Sequence, residues 1–286
     1  MFLYNFFSDK YTLRQNGYDG SDKMSTKQFI FMGILFILII IISIILRKVK
    51  REKLYLIYKI MAIVMPIMEI LKIVIETHFD LANGQTFNYG GILPFYTCSM
   101  ILYFLPFVAW GNTSFKKYSM AFFTSIGLVA GLSNFVYLSA VGWYPLFSAG
   151  GLYSALFHAA IVFVGVSLMI TGEYKPTFRT ALEGMVPVLI FGLLVMPINY
   201  FIKTFTNDGF VDYMMLMDGN GFKYIGDFAD ALGEHGLRPI FSLLMLFVAY
   251  PLATFLMNLI NMGIIKLVDL GKRLFKSSKR EEAISQ

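Results

Sequence analysis

An uncharged run of 18 residues, Phe29–Leu46, constrains this chain more than any other feature. As a helix rising 1.5 Å per residue it would extend about 27 Å, close to the thickness of a bilayer's hydrocarbon core. A cleaved signal peptide would look different. Asp9, Asp19 and Asp22 precede the run, no small-residue cleavage site follows it, and Arg47-Lys48-Val49-Lys50-Arg51 stops it. With 57% hydrophobic residues and a mean hydropathy of +0.65, the 286 residues read as one integral membrane domain.

Six more apolar stretches follow: Leu54–Ile75, Ile92–Trp110, Tyr118–Tyr137, Gly151–Ile170, Leu182–Ile202 and Arg238–Ile265. The expected fold is therefore all-α, a polytopic bundle of about seven transmembrane helices. Residues 1–28 would form an extramembrane segment, 29–265 the bundle and 266–286 a basic cytoplasmic tail. An even helix count, with Phe2–Phe7 as an added interfacial segment, is the alternative. Turn-rich segments separate the spans at Asn83-Gly84, Gly111-Asn112, Gly142 to Gly151, Gly172 and Asn207-Asp208-Gly209. Within the longest connection, Asp227–Glu234 is expected as a short surface helix with Phe228, Ala231 and Leu232 on one side.

Lys and Arg flank these spans unevenly. Five lie in 47–53, two in 111–117, two in 171–181 and six from Lys266 onward; four lie in 1–28, three in 203–238 and none in 76–91 or 138–150. The positive-inside rule then places the N-terminus outside and the C-terminus inside. The same placement explains the net charge of +6 without nucleic acid as a partner. Heavy use of Ile, Phe, Lys and Tyr points to an AT-rich bacterial genome, hence to a bacterial cell membrane.

One Cys excludes an intrachain disulfide framework, and the three His are far apart with no HExxH or CxxC, so no metal and no cofactor is expected. Asp218-Gly219-Asn220-Gly221 resembles a calcium loop, but Ala229 stands where its last acidic ligand belongs, and the run reads as a turn.

Polar residues inside the spans gather toward the outer side. At 1.5 Å per residue, Glu69 and Cys98 lie roughly 9 Å from the outer ends of their helices, His158 roughly 10 Å and Lys72 about 4–5 Å. Ser133, Asn134 and Asn199 fall in the same layer, whereas the inner halves are apolar apart from Lys59. Charged groups in lipid are costly, so a shared depth predicts a polar cavity in the outer half of the bundle. Each residue also has a plain structural role open to it. Cys98 can pack as a small hydrophobe, His158 can make one interhelical hydrogen bond, and Glu69 and Lys72 can pair with each other. Trp110, Trp143 and Tyr144 are expected at the interfaces.

The segment Leu93-Pro94-Phe95-Tyr96-Thr97-Cys98-Ser99 resembles the Leu-Pro…Cys-Ser motif of the YwaF-like family of multispanning membrane proteins. Leu156-Phe157-His158 matches the family's helix with a Phe-His step. Asn199-Tyr200, followed by Asp212-Tyr213-Met214-Met215-Leu216, is similar to its Asn…Asn-Tyr-Met-Phe-Leu region. The likeness covers roughly residues 60–260. The chain departs from the pattern at Val136–Tyr144, which lacks a Thr-Pro-Asp step, and at Asp212, where Asn is usual.

The family is related to a eukaryotic cysteine-dependent transmembrane phospholipid acyltransferase. The resemblance thus implies lipid metabolism, with Cys98 as nucleophile, His158 as base, and membrane lipids or lysolipids as substrates. A thiol near pKa 8.5 needs a base at neutral pH, which an adjacent imidazole supplies. Asn199 or Ser133 would donate to the oxyanion, Glu69 or Asp212 would orient His158, and Lys72, Asn134, Tyr200 and Tyr213 would support or contact substrate. Two other functions remain open. One is a transporter or solute-binding protein using Glu69, Lys72, His158 and Asn199; the other is a membrane assembly factor without a site.

Overall fold

The computed structural model describes residues 25–82, 84, 89, 93–136, 144–206, 211–218 and 223–284, with backbone alone at 113, 223 and 271–284. Several expectations lie outside these residues: the N-terminal segment through residue 24 with Phe2–Phe7, the span ends at Ile92 and Tyr137, Trp143, and the turns at Asn83, Asn207-Asp208-Gly209 and Gly219-Asn220-Gly221.

The long apolar runs become long helices: α1 (Thr26–Leu46), α2 (Arg51–Ala82), α6 (Ala149–Thr171) and α7 (Phe178–Phe205). Between α2 and α6 lie shorter pieces, α3 (Met100–Trp110), α4 (Thr113–Phe123) and α5 (Ile126–Val136). After α7 come a 3₁₀ turn at Tyr213–Met215, α8 (Lys223–Glu234), and a rod made of α9 (Arg238–Leu244), a π turn at Met245–Ala249 and α10 (Tyr250–Ile284). No strand forms among the described residues, and the fold is an all-α membrane bundle. Five helices are long and apolar enough to cross a bilayer: α1, α2, α6, α7 and the rod over Arg238–Leu270.

α6 is the centre. In its most apolar window 61% of the residues are buried, against 22% in α1. α1 and α5 pack on α6, α3 packs on α2 and α4, and α7 packs on α4 and α10. Small residues make the close approaches. A Cβ on Gly131 of α5 would sit 2.7 Å from Val162 Cγ2 and 3.3 Å from the His158 carbonyl, so this glycine brings α5 against α6 at the level of His158. Ser25 and Gln28 cap α1 reciprocally, Thr177 and Thr180 do the same for α7, and Gly172 ends α6 at φ 81°.

Three expected spans are not continuous α-helix. The third starts at Met100 rather than in the low nineties, because Pro94 lacks an N–H and Tyr96 to Ser99 close in tight turns, with Ser99 N–H donating to Tyr96 O at 2.9 Å. The fourth breaks at Thr124-Ser125, whose hydroxyls bond back to Met120 O (3.0 Å) and Ala121 O (2.6 Å). Asn261 of α10 donates to the buried Thr124 carbonyl freed by the break, at 2.6 Å, as a backbone break inside lipid requires. The seventh carries its π turn just before Pro251, which cannot donate to the preceding turn. The backbone is helical from Lys266 to Ile284, in continuity with the rod. One further correction concerns a helix face. The inward face of α8 is Ile225, Ala229 and Leu232, while Phe228 and Ala231 are exposed.

An ionic network ties together the end of the bundle where α1 leads into α2. Arg51 meets Glu173 at 2.7 Å and the Tyr55 phenol donates to the same carboxylate at 2.8 Å. Lys117 and Arg179 meet Glu183 at 2.5 and 3.0 Å. Tyr174 donates to Glu183 at 3.3 Å; burial and then the neighbouring carboxylate push its ionisation above the ordinary phenol value, keeping it a donor.

Candidate functional site

Toward the opposite end, α2 and α6 face each other through a charged cluster. Glu69 and Lys72, three residues apart on one face of α2, pair at 3.0 Å. The Tyr153 phenol of α6 donates to the second carboxylate oxygen of Glu69, and its ring lies 5.7 Å from the Lys72 ammonium. Glu69 is thereby satisfied on both oxygens while buried. One turn beyond Lys72, Glu76 accepts from the Tyr144 phenol at 2.5 Å.

Cys98 lies in the turn before α3, not within a helix. It is half-buried at the edge of the main core. The turn is anchored on both sides. Thr97 Oγ1 and the Tyr250 hydroxyl of α10 lie 2.7 Å apart, and the Tyr103 hydroxyl donates to the Pro94 carbonyl at 3.1 Å.

His158 lies on α6, five residues after Tyr153. Its Nδ1 is 2.7 Å from the Ser154 carbonyl. A carbonyl only accepts, so in the neutral ring Nδ1 carries the proton and Nε2 is the basic nitrogen. Nε2 is buried and has no hydrogen-bond partner, and neither has Ser154 Oγ one turn earlier. Buried polar atoms are nearly always paired, so two orphans on one helix face mark a place where a ligand or water is needed. Cys98 and His158 make no hydrogen bond to each other.

The supporting residues divide differently from expectation. The Ser154 carbonyl, rather than Glu69 or Asp212, orients the imidazole. Asn199 is occupied by the backbone of Tyr213: its Nδ2 donates to Tyr213 O and its Oδ1 accepts from Tyr213 N–H, both at 2.9 Å. Asp212 accepts from the N–H groups of Met217 (2.7 Å) and Asp218 (3.1 Å), closing its own turn. Ser133 and Asn134 both bond back to Ala130 O at 3.1 Å, and Tyr200 meets Ser242 at 3.3 Å.

Residues 211–218 are thus a strap folded into the bundle. Tyr213, Met214 and Leu216 are fully buried, and Met214 and Met215 hold left-handed φ values of 57° and 52°. The ring of Tyr213 stands edge-on to Phe95 and Tyr96 at 5.3 and 5.4 Å, so the strap covers the turn that carries Cys98. Lys203 and Arg238 both meet Asp218 at 2.5 Å and fasten its end.

Tyr153, Ser154, Thr97 and Tyr250 were not singled out in the sequence. Ser154 carries a usable signal, standing one helical turn before His158; Tyr153 and Tyr250 are indistinguishable there from aromatic filler. Among the described residues, no three His, Cys, Asp or Glu side chains converge as a metal site. No curated protein and no solved structure matches this chain. A family model does match, across residues 23–257, a stretch that includes α1 to α9, the strap, Cys98 and His158. The chain is an integral membrane protein and belongs to the TMEM164 family.

Proposed function

We propose that this protein transfers or hydrolyses acyl groups of membrane lipids, with Cys98 as nucleophile and His158 as base. The observation that carries the proposal is the state of His158: a buried imidazole whose Nδ1 is tied to a carbonyl and whose basic Nε2 is unpartnered. The resemblance of the Cys98 and His158 segments to the YwaF-like family, with its cysteine-dependent acyltransferase relative, supports the same chemistry.

Nε2 takes the Cys98 proton as the sulfur attacks an ester carbonyl carbon. The S–C bond forms, the ester C–O bond breaks, and the departing lipid oxygen takes the proton back from the imidazolium. A lysolipid hydroxyl or water then attacks the thioester, giving its proton to Nε2, and thiolate leaves. Catalytic hydrogen bonds often tighten only with substrate in place, which is when Sγ and Nε2 would meet. Seven spans with the N-terminus outside put this site in the outer leaflet of a cell membrane; a reporter at Gln286 on the inner side is the expected result.

Solute binding or transport is the second function that the orphaned Ser154 Oγ and His158 Nε2 favour. Cys98→Ala separates the two. Acyl transfer predicts loss of labelling by an acyl-ester probe and loss of lipid turnover in purified protein. Retained turnover by Cys98→Ala would overturn Cys98 as nucleophile, and near-normal solute uptake by Cys98→Ala would favour the second function.

A further inference from the structure

The short helix α8 has three distinct faces rather than two. Ile225, Ala229 and Leu232 turn inward, Tyr224, Phe228 and Ala231 are exposed, and Asp227, Asp230 and Glu234 form an acidic edge. At about 100° per residue the acidic edge is roughly opposite the inward face, and the exposed apolar face lies between them, roughly 100° from each. A helix resting on a protein in water needs only an inward face and a polar one. Tyr224 is 86% exposed and Phe228 49%, so the described residues leave most of the third face uncovered.

The direction of that face is fixed. Gly236, at φ 70°, ends α8, and the Leu237 N–H donates to Leu232 O at 2.8 Å across it. Arg238 then passes over Gly233, where a Cβ would meet its Nε at 2.7 Å, and its guanidinium meets Asp218 at 2.5 Å and Asp230 at 3.8 Å. α8 is thus held at a set angle to the rod. Phe228 stands edge-on to Phe241 of the rod at 6.2 Å, and Leu237, Ile240 and Leu244, spaced three and four apart there, are exposed. The rod is long and apolar enough to cross a bilayer from Arg238 onward. The uncovered face of α8 therefore adjoins the lipid-facing side of a membrane span, at the end where that span meets the headgroups.

We infer that α8 lies in the plane of the membrane and docks its Tyr224, Phe228 and Ala231 face on the boundary between headgroups and acyl chains of zwitterionic phospholipid. Tyrosine suits that boundary, with its ring in the apolar layer and its hydroxyl toward water. The acidic edge stays in water and repels an anionic surface, so apolar burial rather than charge attraction drives the contact.

Cys98 is the chain's single cysteine, so Cys98→Ser gives a full-length background in which one nitroxide can be placed at a time. The protein is reconstituted in phosphatidylcholine vesicles and labelled at Tyr224→Cys, Ala231→Cys, Asp227→Cys or Glu234→Cys. Labels at 224 and 231 should collide severalfold more with oxygen, which partitions into lipid, than with a water-soluble nickel chelate; labels at 227 and 234 should show the reverse. Nickel access at 224 and 231 equal to that at 227 and 234 means that the face is in water, and overturns the inference. Protection from both reagents means that protein covers it, a second copy or another chain, and overturns the inference as well. A lipid-buried pattern that appears only after phosphatidylglycerol is added overturns the zwitterionic surface. Where Cys98→Ser does not fold, Tyr224→Trp in the parent chain decides. Phosphatidylcholine brominated in its acyl chains should quench the added emission, and unquenched emission overturns the inference.

Discussion

Two ionic clusters lie at opposite ends of the bundle, and they are built differently. Around Glu173 and Glu183 the cations come from the surface: the side chains of Arg51 and Arg179 are 68% and 82% exposed. Around Glu69 the cation is Lys72, only 19% exposed, and the further partner is a phenol from another helix. The first cluster joins the ends of α2, α4 and α7 to the turn after α6, and its cations stay open to water although its carboxylates are largely buried. The second lies between apolar helix faces, beside a buried imidazole nitrogen and a serine hydroxyl that have no partner. Charge used for fastening is found near solvent with its valences filled. Charge kept in the apolar layer next to unfilled ones is better explained by chemistry.

Substitutions can break that contrast. Glu69→Ala leaves a nearly buried ammonium without its carboxylate and should cost about 3–5 kcal/mol, read as a loss of thermal stability in detergent. Asn199→Leu removes both side-chain hydrogen bonds to the buried backbone of Tyr213, whose carbonyl keeps a 3.4 Å bond from the Leu216 N–H, and should cost about 1–3 kcal/mol, with the strap over Cys98 becoming sensitive to protease. Replacing the pair together, Glu69→Leu with Lys72→Met, sharpens the comparison: stability should return to within about 1–2 kcal/mol of the parent. Glu173→Gln, at the exposed end, should change stability by less than about 1 kcal/mol, because Arg51 is already hydrated. A large loss there, or a small one at Glu69, would erase the distinction between the clusters.

The long helices were legible in the chain because lipid imposes a simple demand, an uninterrupted apolar run with its hydrogen bonds made internally. Phe29–Leu46 and Gly151–Ile170 show this in their composition. The breaks were not legible, because each depends on a distant partner. Thr124 and Ser125 look like tolerable helix residues until Asn261 takes the freed carbonyl. Leu93 to Ser99 is apolar enough for a helix, yet Pro94 and the Thr97–Tyr250 contact hold it as a turn. The strap lies in the longest connection between spans, and its burial depends on distant partners: Asn199 on the Tyr213 backbone, the Tyr250 hydroxyl on the Met214 carbonyl, and Lys203 and Arg238 on Asp218.

Within the site, the spacing of Glu69 and Lys72 revealed their pairing. Cys98 lies in a turn, which helical depth arithmetic does not describe. Neither Tyr153 nor the tautomer of His158 has any signature in one dimension, since both depend on which oxygen lies opposite.

Intact-mass measurement of the purified protein after brief exposure to an acyl-ester lipid tests the Cys98–His158 chemistry most directly. The expected species is parent mass plus one acyl group, cleaved by hydroxylamine as a thioester is, absent from Cys98→Ser and strongly reduced in His158→Ala. An acyl adduct that persists in Cys98→Ser, or lipid turnover with an unmodified and dispensable Cys98, would contradict it.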